Sequence, residues 1–105
     1  MIIHREDNFL QKEYCNNLIT TFETNNSSSY RDTFIVKYKD SKILNKVCKT
    51  FHNYNLEYPD NMEIVKWPTN SKMSLHYDVG DRFAFIIYLN DNFKGGETVI
   101  DDVLI

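Results

Sequence analysis

Apolar residues recur along this chain at two spacings, every third or fourth position mainly in the first half and every second position in the second. That change of period predicts helices first and closely spaced strands after them. In the first helix Leu10, Tyr14, Cys15, Leu18, Ile19 and Phe22 share one face, and Lys12, Glu13, Asn16 and Asn17 fill the other, with Asn8 as the N-cap. Residues 2–4 read as a short first strand, residues 25–29 as a polar loop, and residues 33–38 (TFIVKY) as a β-branched and aromatic strand. A second helix starts near Ser41, with Ile43, Leu44, Val47, Cys48 and Phe51 opposite Lys42, Asn45, Lys46 and Lys49. Pro59-Asp60-Asn61 marks a turn. Strands follow at residues 62–67 and 72–78, separated by a loop at 68–71. Residues 82–89 predict the most buried strand, because Phe83, Phe85, Ile87 and Leu89 alternate with Ala84, Ile86 and Tyr88 and both sets are largely apolar. Residues 90–96 form a loop, residues 98–100 begin another strand, and Val103, Leu104 and Ile105 make one more apolar stretch.

This order predicts an α+β domain containing a sandwich or open barrel. A chain of 105 residues is one domain at most, and with seven Phe and seven Tyr it can bury a real core. The net charge of −3, spread over mixed signs, leaves no basic footprint and argues against nucleic-acid binding. Cys15 and Cys48 sit inside apolar helical patterns, which reads as two reduced, buried thiols of a cytoplasmic protein. No apolar run approaches the roughly 18 residues that span a bilayer, so no membrane association is expected.

The candidate chemistry lies at His76-Tyr77-Asp78. On an extended backbone the first and third side chains project to the same side, bringing an imidazole and a carboxylate toward one point. These are two of the three ligand types of the 2-His-1-carboxylate facial triad that holds Fe(II). The triplet alone carries little, since some His-x-Asp arises by chance about one time in four in a chain of this composition. Gly95 and Gly96 read as a turn that needs positive φ, and the spacing of a phosphate-binding loop is absent.

The neighbours of the triplet make it specific. HYD, a spacer with Arg82, FAFIIYLND and GGET follow in an order that resembles the prolyl 4-hydroxylase-like branch of the 2-oxoglutarate, Fe(II)-dependent dioxygenases. Upstream, MEIVKWPTNSKM looks like the strand and loop leading into that family's metal-binding His, and NFLQKEYCNNLI looks like its opening helix. The resemblance implies a double-stranded β-helix, or jelly roll, with supporting N-terminal helices. It covers the N-terminal part of that fold, so residues 1–105 are read as a single, truncated domain.

The same resemblance implies Fe(II) held by His76 and Asp78, with 2-oxoglutarate as co-substrate and ascorbate as a supporting reductant. Molecular oxygen and a peptide or small-molecule substrate, in the closest branch often a prolyl residue, complete the set. Trp67 and Met73 stand where relatives often carry tyrosines of the co-substrate pocket, and Tyr88 points a hydroxyl from the buried strand, so these three are the candidate co-substrate contacts. Plain core packing is the competing role for each. The family's second His and its 2-oxoglutarate anchor lie beyond the Gly-Gly turn, where this sequence has no His, and His4 and His52 match no family position. The rival reading is therefore a non-catalytic jelly-roll remnant or interaction module without a complete metal site. A sugar- or small-molecule-binding β-sandwich has only the aromatic content in its favour.

Overall fold

Asp40 stands where the first strand region hands the chain to its second helix, and every hydrogen-bonding group it owns is used. Its Oδ1 accepts from the amides of Lys42 and Ile43 at 2.9 and 3.2 Å, satisfying two of the donors that every helix start leaves without partners. Its carbonyl accepts from Leu44 N at 3.0 Å, and its own N–H lies 3.4 Å from Met62 Sδ. The remaining oxygen, Oδ2, accepts from the hydroxyl of Tyr14. A single half-turn of chain thereby connects two helices and the approach to a strand.

The computed structural model describes residues 4–59, 61–74, 83–100 and 103–104. Helix α1 (Lys12–Thr24) is followed by strands β1 (Ser28–Tyr30) and β2 (Thr33–Lys37), helix α2 (Ser41–Thr50) and a 3-10 turn (His52–Tyr54). Strand β3 (Glu63–Lys66) and the short strands β4 (Val99–Ile100) and β5 (Val103–Leu104) complete the described elements. Strands β1, β2 and β3 form an antiparallel sheet in that order, and β4 pairs antiparallel with β5. The fold is α+β, as the order of periodicities predicts.

The core forms where both helices meet the sheet. Val36 and Ile64 are cross-strand partners on one face and both are buried. Leu18 from α1 and Ile43 and Val47 from α2 join Ile64 in one cluster, with Tyr14, Phe22, Phe51 and Met62 packed around it. Ile43 and Leu44 are the most fully enclosed side chains, which identifies α2 as the central helix. The opposite sheet face pairs Ile35, half-buried, with Val65, 38% exposed.

Several boundaries differ from the sequence reading. Helix α1 begins at Lys12 after Gln11, not after Asn8; Asn8 instead takes a positive φ of 56° in a turn ahead of the helix. The polar loop at 25–29 is partly strand, since Ser28–Tyr30 pairs with β2 through a two-residue link, Arg31-Asp32. The link is closed by Thr33 Oγ1 donating to Tyr30 O at 2.7 Å, with Arg31 at φ 54°. Arg is an uncommon residue at positive φ, so the usual Gly or Asn signal of a tight hairpin was missing. Cys48 is half-buried rather than buried.

The larger correction concerns residues 82–89. The described part, 83–89, keeps the period-2 alternation but forms no strand ladder among the described residues, where it is not the most buried element. Phe85, Ile87 and Leu89 pack half-buried against the core cluster, while Ile86 and Tyr88 are 66% and 52% exposed. Alternation sets which side chains share a face, whereas burial on both faces needs covering layers, and among the described residues only one layer is present. Residues 72–74 of the expected strand 72–78 are likewise irregular, and residues 75–78 lie outside the described residues, as do 2–3 of the proposed first strand and Asp60 of the turn.

Two outcomes test this packing. Leu44→Ala should cost about 2–5 kcal/mol, the range for a buried leucine. Phe85→Ala should cost less than Leu44→Ala, because its side chain is only partly buried, and urea denaturation of both variants checks the order. Separately, hydrogen bonding to Asp40, followed by burial and the Asp40 charge, pushes the Tyr14 phenol from 10 up to about 12. The fold favours the neutral phenol, so this contribution is fully present below pH 10 and is lost as pH rises from 10 toward 12. Stability measured across that window should fall more steeply in the native chain than in Tyr14→Phe.

Candidate metal centre and its flanking segments

His76 and Asp78, the expected ligand pair, lie outside the described residues, as does Arg82 of the spacer. What the structure defines is the chain on either side of them. On the upstream side β3 ends at Lys66 and delivers Trp67, half of whose surface is exposed. Residues 68–71 then close a turn in which both the amide and the hydroxyl of Ser71 donate to Pro68 O, at 3.0 and 2.6 Å. Asn70 takes φ 66° within that turn, a conformation its short amide side chain tolerates better than most. Met73 follows, half-buried.

On the downstream side the extended segment 83–89 presents Tyr88 outward. Its hydroxyl donates to Gly96 O at 3.1 Å and hydrogen-bonds Thr98 Oγ1, and its ring lies 6.4 Å from that of Phe93. The contact fastens the extended segment to the Gly-Gly turn. Gly95 and Gly96 adopt φ 76° and 71°, so the turn uses the conformational freedom of glycine as the sequence implies. A Cβ on Gly96 would also stand 2.9 Å from the Phe93 ring.

Of the three candidate co-substrate contacts, Trp67 and Met73 flank the ligand triplet upstream in sequence and Tyr88 flanks it downstream. Among the described residues they share no hydrogen bond or ring contact. Tyr88 already has partners for its hydroxyl, a loop-fastening role that the sequence reading did not foresee.

The other two histidines each contact residues at or just after the end of α2. His4 Nε2 meets the Tyr54 hydroxyl, with its ring 4.8 Å from Tyr54 and edge-on to Phe51 at 5.9 Å. His52 Nδ1 lies 3.1 Å from Lys49 O, an acceptor, which requires that nitrogen to carry the hydrogen. No three His, Cys, Asp or Glu among the described residues gather closely enough to hold a metal ion. The functional polar group that sequence reasoning passed over is Asp40; an Asp directly before the apolar run of α2 was its legible signal.

Comparisons with protein-family models, with curated proteins and with solved structures found no match to this chain. Among the described residues no helix is long and apolar enough to cross a membrane.

One variant checks the turn. Gly96→Ala meets both an unfavourable φ and the Phe93 ring, so it should destabilise the chain by about 1–3 kcal/mol. Limited proteolysis of the 90–98 loop should accelerate in the same variant, and a loop cleaved at the native rate would remove the proposed role of the turn.

Proposed function

We propose that this chain carries the N-terminal part of a 2-oxoglutarate- and Fe(II)-dependent dioxygenase domain of the prolyl 4-hydroxylase-like branch, built on a jelly roll. The observation that carries the reading is the ordered string from His76 through FAFIIYLND to the Gly-Gly turn, supported by the positive φ of both glycines. An imidazole and a carboxylate two residues apart suit Fe(II), which accepts mixed nitrogen and oxygen donors. When bound, the metal supplies oxidative decarboxylation of 2-oxoglutarate to succinate and carbon dioxide, coupled to hydroxylation of an unactivated C–H bond. The protein's part is to fix geometry and exclude water. His76 and Asp78 would hold the metal, and Trp67 and Met73 would wall the upstream side. Tyr88, through Gly96 and Thr98, would keep the downstream segment in place.

A second reading, a non-catalytic interaction module of the same fold, is favoured by the histidine inventory. His4 and His52 are engaged near the end of α2, and no other His follows His76. The third ligand and the 2-oxoglutarate anchor therefore have no counterpart within these 105 residues.

Succinate release with Fe(II), ascorbate and 2-oxoglutarate separates the two. The 105-residue chain should bind Fe(II) weakly and release no succinate, since loss of even an orienting partner weakens a metal site about 10–100-fold. Any longer form of the polypeptide that supplies a downstream His should turn over and lose that turnover in His76→Ala. Robust activity of the 105 residues would place the third ligand at His4, His52 or a second subunit. A longer form that is folded and iron-loaded yet inert would favour the non-catalytic module.

A further inference from the structure

Helix α2 carries a set of charges that the dioxygenase reading does not use. Lys42, Lys46 and Lys49 follow one another at helical spacing on its polar side, and Lys39 stands just before the cap. Among the described residues none of the four is in an ion pair. Like charges four residues apart repel. Lys42 also lies in the first turn, where the helix dipole favours anions, and no acidic residue is present there. Lys49, in the last turn, suits the dipole, but Lys42 and its spacing to Lys46 work against helix stability, a local conflict of the kind that accompanies binding sites.

A cleft lies beside two of these lysines. It encloses about 230 Å³ and is lined by Leu10, Gln11, Tyr14, Lys42, Ile43 and Lys46. Leu10, Ile43 and the Tyr14 ring give it apolar walls, and no acidic side chain lines it. Asp40, the nearby carboxylate, is already occupied by the Tyr14 hydroxyl and the amides of α2. Lys46 is held in position, with Nζ bonded to Phe9 O and 4.7 Å above the Phe9 ring. The volume falls below the roughly 300–1,000 Å³ of drug-sized ligand sites, so it suits one side chain of a larger ligand.

We propose that α2 and the start of α1 form a docking surface for an acidic peptide segment. One apolar side chain of the peptide enters the cleft, and flanking carboxylates meet Lys42, Lys46 and Lys49. Charge complementarity selects the peptide's acidic residues, and the apolar walls select a peptide over a nucleic acid, which would need stacking surfaces and a broader basic field. This inference does not depend on the dioxygenase reading.

Fluorescence anisotropy tests it with a labelled, acetylated peptide of alternating glutamate and leucine. Saturable binding is expected, weakening as salt is raised. It should fall about 3- to 10-fold in Lys42→Glu and again in Lys46→Glu, and be unchanged in Lys94→Glu, a control on an exposed loop that does not line the cleft. Replacing leucine by serine in the peptide should weaken binding as well. Lys42→Glu leaves the Lys46 contact to Phe9 intact and suits the helix dipole, so its Tm should hold or rise while binding falls. The proposal is overturned by absence of saturable binding, by equal binding of a lysine and leucine peptide, or by tighter binding of a single-stranded oligonucleotide. Equal loss in Lys94→Glu, or no effect of serine for leucine, would overturn it too.

Discussion

The carboxylate of Asp40 is the constraint on which the rest of this fold is arranged. A helix start that faces a protein core cannot leave its first amides bare, because burying an unpaired donor costs about 1–3 kcal/mol. Asp40, only 9% exposed, meets that requirement with one oxygen and uses the other to accept the Tyr14 hydroxyl of α1. The angle between α1 and α2 is thus linked to the same side chain that starts α2. Its N–H against Met62 and the Tyr38 amide donating to Met62 O at 3.3 Å tie the entry to β3 into the same joint.

From that joint the apolar layer follows. With α2 anchored, Ile43 and Val47 reach Leu18 and Ile64, and the half-buried side of residues 83–89 closes over the same cluster. The sheet is covered on one face only by described residues, which leaves Val65 and Trp67 partly in solvent. One covered face is what two helices against three short strands can provide, and it explains why the alternating segment shows its second face, Ile86 and Tyr88, to water.

Much of this was legible in the residues themselves. Helix α2 follows its apolar stripe almost residue for residue because Ile43, Leu44 and Val47 are at once the periodic and the buried positions. Strands β2 and β3 were legible for the related reason that β-branched residues crowd both of them. The β1–β2 hairpin was not, since its strand is polar and exposed throughout and its link holds Arg31 instead of glycine. The depth of residues 83–89 was misjudged because burial depends on neighbours that a local pattern does not contain. At the candidate site, glycine chemistry was readable at Gly95 and Gly96, whereas the Tyr88 contact across eight residues to Gly96 was not, being a matter of tertiary placement.

The metal reading stands on two residues, His76 and Asp78, and on the string around them. Its most direct test uses Mn(II), a paramagnetic ion that takes the same nitrogen and oxygen donors without redox side reactions. Added in small amounts to the isotopically labelled chain, it should broaden the amide signals of residues 76–78 first and leave those of residues 4 and 52 sharp, and His76→Ala should erase the selectivity. Broadening centred on His4 and His52, or spread evenly over the exposed carboxylates and indifferent to His76→Ala, would contradict the account.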